Sequence, residues 1–430
     1  MNPSPESPSP GHGEGPREPT SGHEPVPGPT TGPAPPPWGE AVLIGLSTLA
    51  LVAGLLWWTG RSVRRTTGSA SGPSAGQTSG GRLAGFVGDR ACRECHPGES
   101  ASHFRSGHAR TLREPAKAPV SRLVDGRTVP DPESPETSWS FAFRDGSLSI
   151  ERRGGGDVER FLVDYVFGSG EHAATFLSLT DRDPKHPAGL EHRLTYYRHS
   201  DAFGITPGQG RDAPEGQVTP SGRLQSTREV VHCFGCHAST TSAEDPNVLD
   251  TATMIPNISC ERCHGFGRDH VEAARAGRSD LAMGFGPGRW TVDGQMRLCG
   301  QCHRYPGLLE GLGVLQVHPS KIRPDNPEIV RFQPVGLMQS ACYTKSGGQL
   351  SCVTCHDPHS RASKDRAGYE AACLSCHGQS GQTRCSVSPT SGCVDCHMPR
   401  EDSGQGVLFT DHWIRPRVGS RRTSREGAGR

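Results

Sequence analysis

The chain has 430 residues, a formal charge near zero and 32% hydrophobic residues, alongside 56 Gly, 37 Pro, 16 Cys and 20 His. The neutral balance, with no basic stretch interleaved with aromatics, excludes a nucleic-acid-binding surface. The apolar content is thin for a conventional core in a chain of this length, so buried cofactor is expected to supply the missing apolar surface, in a protein that does not fold without it.

Residues 1–39 are rich in Pro and Gly with almost no aliphatics, and such a segment cannot bury enough surface to order itself. Ala41 to Gly60 are twenty uncharged residues between Glu40 and Arg61. A helix of that length rises about 30 Å, the thickness of a bilayer core. The sequence therefore predicts a single transmembrane anchor over 40–60, with Trp57 and Trp58 at its interface. A cleaved signal peptide has a shorter apolar region and a small-residue cleavage site, which this span lacks. Arg61, Arg64 and Arg65 follow the span and by the positive-inside rule place the remainder in the cytoplasm. Haem attachment requires the opposite side, and that requirement is the stronger one: the expected location is the cytoplasmic membrane, single-pass, with the haem domain periplasmic. Residues 61–85 form a flexible Gly/Ser/Thr-rich tether, 86–414 the cofactor domain, and 415–430 a basic disordered tail.

Within the cofactor domain a long motif-free stretch precedes Cys233. Phe141 and Phe143 alternate with polar residues, Asp145-Gly146 supplies a hairpin turn, and Leu148 and Ile150 alternate back. Val158–Phe167, Thr175–Leu179 and Leu194–Arg198 are further strand-like runs. The predicted fold is mainly α and irregular, with little regular secondary structure and a small antiparallel β-rich insertion over about 135–200.

Seven pentapeptides carry the chemistry: Cys92-Arg-Glu-Cys95-His96, Cys233-Phe-Gly-Cys236-His237, Cys260-Glu-Arg-Cys263-His264, Cys299-Gly-Gln-Cys302-His303, Cys352-Val-Thr-Cys355-His356, Cys373-Leu-Ser-Cys376-His377 and Cys393-Val-Asp-Cys396-His397. Two residues between the cysteines let both thiols reach the vinyl groups of one porphyrin, and the adjacent His lies under the ring to ligate iron. Random order at this composition yields about 0.03 such pentapeptides. Zinc ribbons pair Cys-x-x-Cys units in twos and require no His after each, which sets zinc aside. The expected cofactors are seven covalent haems c with their iron. Cys342 and Cys385 are left over, either as a disulfide or as separate thiols.

Each iron has a sixth position. Outside the motifs and the N-terminal segment eleven histidines remain: His103, His108, His172, His186, His192, His199, His232, His270, His318, His359 and His412. A lone histidine is more often a surface or hydrogen-bonding group, but seven irons require partners. His270 and His359 follow their own motifs too closely to reach the far face of the same haem, so each is expected to cap a neighbour's iron.

Residues 86–415 resemble the multihaem cytochromes related to the tetrahaem cytochrome c-554 of ammonia oxidation, with pentahaem nitrite reductase and octahaem hydroxylamine oxidoreductase more distant. The resemblance rests on Cys92-Arg-Glu-Cys-His followed by Ser106-Gly-His108-Ala, on Gly168-Ser-Gly-Glu-His172 before Thr175-Phe-Leu, and on Ser259-Cys-Glu-Arg-Cys-His-Gly. It continues in Cys352-Val-Thr-Cys-His-Asp-Pro-His359 and in Cys393-Val-Asp-Cys-His-Met-Pro with Asp411-His412-Trp. It implies distal ligands at His108, His172, His270, His359 and His412; His318, His232 and Met338 are weaker candidates for the two irons left over. No motif replaces its His by Lys, as some nitrite reductases do, and strand packing accounts for Tyr196-Tyr197 better than catalysis.

Three functions follow as expectations. The first is electron transfer between redox partner proteins of a respiratory chain, by a membrane-tethered carrier with no catalytic residue. The second is oxidation or reduction of a small nitrogen or sulfur compound at one haem with an open site. The third is a scaffold docked into a larger membrane respiratory complex through the β-rich insertion.

Overall fold

A computed structural model describes residues 83–210, 218–278, 283, 291–306, 317, 322–379, 384–403 and 407–416. The described residues all belong to one compact unit. The expected anchor over 40–60, the segments flanking it, His318 and most of the basic tail lie outside them.

Strand-forming sequence dominates the first half. One antiparallel sheet takes the order β2 (Thr128–Pro130), β3 (Ser138–Arg144), β4 (Ser147–Gly154) and β5 (Asp157–Val163). The β3–β4 register pairs Phe141 with Ile150 and Phe143 with Leu148, across a turn in which Asp145 and Gly146 both have positive φ (51° and 81°). Two such residues make the primed turn whose twist matches a two-stranded ribbon.

The larger sheet runs β1 (Leu112–Arg113), β6 (Tyr165–Phe167), β7 (Ala173–Asp181), β8 (Ala188–His192), β12 (Gly222–Gln225) and β11 (Val218–Thr219), with β9 (Leu194–Tyr197) on β7 and β10 (Ala202–Ile205) on β9. The predicted single run Val158–Phe167 is divided at Asp164. Its carboxylate accepts from the Leu179 N–H at 2.7 Å and from Arg182, so it leaves the ladder to tie β5–β6 to β7.

Trp139, Phe141, Leu148 and Ile150 of the first sheet pack with Phe176, Leu194 and Tyr196 of the second. This is an ordinary hydrophobic core. Asp131 is buried at its edge and accepts from Trp139 Nε1, from the N–H groups of Glu133 and Ser134, and from the Arg193 guanidinium.

The expected fold class needs correction. Regular strands extend from 112 to 225, well beyond an insertion at 135–200, and several sheets replace the low regular structure that was anticipated. A haem-free stretch of this length has to bury its own apolar side chains, and two packed sheets do so. Helices are short, at most 12 residues among the described residues. None of these is long and apolar enough to cross a membrane.

Candidate cofactor site

Each pentapeptide sits on a helical turn. The first ends α1 (Asp89–Cys95), with His96 as its cap. The second ends α4 (Thr227–His237), the third forms α5 (Cys260–His264), and the fourth ends α7 (Val292–His303). The sixth ends α10 (Arg366–His377) and the seventh forms α11 (Cys393–His397); α6 (Arg268–Arg275) follows the third, α8 (Gln333–Gln339) and α9 (Ala341–Lys345) lie between the fourth and the fifth, and α2 (Pro97–His103) and α3 (Pro119–Val124) precede β2. The fifth begins on a 3₁₀ turn, Cys352–Thr354. Helical spacing puts residues i and i+3 on one face, so both thiols of each motif point the same way. For α4 the turn is fixed by a capping box, with the Ser226 N–H donating to Glu229 Oε2 at 2.8 Å.

All fourteen motif cysteines and all seven motif histidines line one cavity of about 3900 Å³. Ordinary ligand pockets span roughly 300–1,000 Å³, and protein interiors are otherwise close-packed. A void of this size, walled by thiols and imidazoles, fits covalently attached haem. Sixteen cysteines are free thiols here, Cys342 and Cys385 among them, so those two form no disulfide with each other.

The histidine geometry bears directly on ligation. Ring centroids lie 6.4 Å apart for His96 and His270, 6.1 Å for His108 and His303, 5.9 Å for His264 and His359, and 6.1 Å for His356 and His412. Two imidazoles bound to one metal from opposite sides, at N–metal distances of about 2.0–2.1 Å, put their centroids about 6 Å apart. In every pair a motif histidine meets a histidine from a distant part of the chain.

Backbone carbonyls orient the rings. Nδ1 faces Pro358 O at 3.4 Å in His108, Thr111 O at 3.1 Å in His237, Arg415 O at 3.2 Å in His397 and Thr410 O at 2.9 Å in His412. A carbonyl only accepts, so Nδ1 carries the proton and Nε2 keeps its lone pair for a metal. Burial pushes His303 down to about 4, with His108, His412, His356 and His237 adding to the effect.

His412 reaches its position because the tail crosses α8 at Gly336. A Cβ there would stand 2.8 Å from Trp413 N, and Ser340 Oγ donates to His412 O and accepts from the Ile414 N–H. Glu261, a variable residue of the third motif, is buried and accepts from the N–H groups of Val87, Gly88 and Gly267. It clamps the entry segment against the motif, a role that nothing in Cys-Glu-Arg-Cys announces.

The remaining candidates divide. His172 lines the cavity, but no histidine ring lies against it among the described residues. His232 and His199 also line it, whereas Met338 packs with Met296, Tyr305 and Leu337. His103 donates Nε2 to Ile258 O at 2.7 Å, and the buried His192 bonds Ser178 Oγ, so both are structural. His186 is an exposed partner of Asp183. Tyr196 and Tyr197 are buried strand residues whose hydroxyls reach Asp201 and Ile205 O.

The motif histidines differ in what faces them. His237 is half-buried with the Phe167 ring edge-on at 5.0 Å, and neither it nor His397 has a histidine ring against it among the described residues. Arg304 follows His303 in the left-handed region (φ 73°) with its guanidinium 5.5 Å from the Phe332 ring. Burial holds the Arg304 guanidinium below its ordinary value, and neighbouring Arg331 adds to this. Both arginines line the cavity, within electrostatic reach of Cys236 and Tyr197 respectively.

Comparison with known proteins agrees with the motif chemistry. Residues 193–265 match the family model described as cytochrome c554 and c-prime, a span holding the second and third pentapeptides. The chain is 22% identical over 387 residues to the dissimilatory sulfite reductase MccA of Wolinella succinogenes, covering 73% of this chain and 50% of that protein. The chain thus spans about half the length of that curated relative. The crystal structure of the outer cell wall cytochrome OcwA superposes with a TM-score of 0.42 at 14% identity, covering 77% of this chain and 79% of the other.

Proposed function

We propose that this chain, a multihaem c-type cytochrome, carries electrons between redox proteins on the outer side of the cytoplasmic membrane, with one haem held at each of the seven pentapeptides. The observation that carries this reading is the set of four histidine pairs at 5.9–6.4 Å. Bound haem iron supplies one-electron chemistry at a potential set by axial ligand, burial and hydrogen bonding. The chain's own residues hold and orient. Paired thiols on each helical turn fix the attachment point, and carbonyls at Nδ1 lock the ring tautomers. The four imidazole pairs would hold a bound iron from two sides, leaving no place there for substrate or water.

Mass spectrometry of the holoprotein tests the stoichiometry, with a mass increment of seven covalent haems expected. Low-temperature EPR tests the ligation. At least four low-spin ferric signals are expected; a spectrum dominated by high-spin iron overturns the carrier reading.

One observation favours a second reading. His237 is half-buried, meets no histidine ring among the described residues, and belongs to the motif whose Cys236 lies near Arg304. A haem held there by His237 would have the Arg304 guanidinium near its attachment cysteine and no second histidine among the described residues, which suits an oxidoreductase acting on a small sulfur or nitrogen compound. The name of the Wolinella relative brings sulfur oxyanions forward as the compounds to try. A single high-spin ferric signal that converts on adding sulfite, with sulfite-dependent oxidation of a reduced dye, supports this reading. Failure of both removes it.

A further inference from the structure

The loop between β6 and β7 carries Gly168-Ser-Gly-Glu171-His172, and the side chain in it that reaches the histidine pairs' segments is Glu171. Its Oε1 accepts from Arg110 at 3.1 Å and pairs with Arg361 at 3.3 Å. Arg110 stands two residues beyond His108, and Arg361 two beyond His359. Those histidines face His303 of the fourth motif and His264 of the third. One carboxylate oxygen thus bridges the two segments that supply the opposite rings of two haem sites.

Further contacts tie the same segments together. The Arg105 carbonyl accepts from both guanidiniums, from Arg110 and from Arg361 Nε at 2.7 Å, and Ser106 O accepts from Arg110 Nε at 3.0 Å. His108 Nδ1 faces Pro358 O, the residue before His359. The loop itself is anchored to the sandwich. The Gly168 N–H donates to Thr111 O at 2.8 Å and the Arg198 N–H to His172 O at 2.9 Å, while the Glu171 N–H donates to Ser169 Oγ at 3.3 Å. Gly168 is in the left-handed region (φ 99°), and a Cβ there would stand 2.5 Å from Ala173 O, so only glycine makes this turn. Among the described residues Glu171 makes no ion pair with the segments of His270 or His412.

An isolated exposed ion pair contributes little, because water screens it and two long side chains must be held still. Glu171 is itself exposed, so its weight lies in placement: it draws two like-charged guanidiniums to one point, each close in the chain to an imidazole. We propose that Glu171 is a positioning residue for the haem sites of the third and fourth motifs, holding His359 and His108 in place together. This is what the strand-rich region contributes to the cofactor region. The proposal rests on the histidine pairs of the carrier reading.

The test uses the haem-loaded protein and cyanide, which enters ferric haem only where the sixth position has been vacated. Freeze-quenched EPR follows each low-spin signal, and His108→Met and His359→Met assign the two in question, since each alters one signal. In Glu171→Ala, cyanide is expected to react about fivefold faster at the third- and fourth-motif sites. The His96–His270 and His356–His412 sites are expected to keep the parent rate. Glu171→Gln, similar in size but uncharged, is expected to give a smaller rise at the same two sites. A rise at one site only, at neither, or equally at all four overturns the proposal. If the parent protein already takes up cyanide at once at both sites, the histidine pairing fails, and the carrier reading with it. A slow parent with an unmoved Glu171→Ala removes the role of Glu171 alone.

Discussion

In the strand-rich region, residues 112–225, Trp139, Phe141, Phe176 and Leu194 are fully buried against one another. In the region that carries six of the seven motifs, 226–416, separate small clusters gather around Val335 and around Met296, while thiols and imidazoles face a cavity of about 3900 Å³. The first region builds its interior from its own side chains. The second builds only the walls of one. The contrast explains how a chain with 32% hydrophobic residues contains a well-packed sandwich: its apolar residues are concentrated there, and porphyrin takes their place elsewhere.

The largest expected effect comes from withholding haem attachment. The self-contained core of the sandwich confines the expected dependence of folding on cofactor to the other region: produced without haem, the protein is expected to lose amide protection across 226–416 while β3, β4 and β7 stay protected, as read by hydrogen-exchange mass spectrometry. Equal protection of both regions would break the comparison.

Next is Phe141→Ala, which empties the centre of the sandwich and is expected to cost about 3–5 kcal/mol in urea unfolding of the holoprotein. The haem absorption spectrum should stay unchanged, since Phe141 touches no motif residue.

A pH effect comes third. His192 is fully buried and neutral, pushed down to about 3 by burial. The unfolded chain takes up a proton near its ordinary value of about 6.5 while the folded chain does not, so stability is full above about 6.5 and falls as pH drops toward 3. Replacing His192 by Gln should flatten that slope in acid unfolding curves; an unchanged slope would assign the effect to other groups.

The smallest effect is Tyr197→Phe. It removes the hydroxyl bond to Ile205 O and is expected to cost about 0.5–1.5 kcal/mol without altering haem spectra. Altered spectra would instead place Tyr197 in the cofactor region.

The β3–β4 hairpin was legible because a two-residue alternation and an Asp-Gly turn are local signals, and it stands where the pattern put it. The extent of the sheets was not, because short partners such as β1 and β11 acquire their strand character only from the ladder beside them. The N-terminal helix expected over 40–60 falls outside the described residues, and no helix within them has the length and apolarity to cross a membrane. His108, His270, His359 and His412 were nominated on resemblance and each now faces a motif histidine. His172 was nominated on the same grounds and faces none among the described residues. Arg304 and Glu261 gave no sequence signal, since a buried guanidinium or a carboxylate clamp depends on what folds around it.

The sequence by itself determined the cofactor chemistry, because attachment needs two thiols and an imidazole within five consecutive residues, and that is a local covalent requirement. Tertiary structure alone decided which histidine stands opposite which, and which motifs are neighbours. Those pairings join residues as far apart as His108 and His303, and the packing of separate helical turns and the crossing of the tail at Gly336 bring them together.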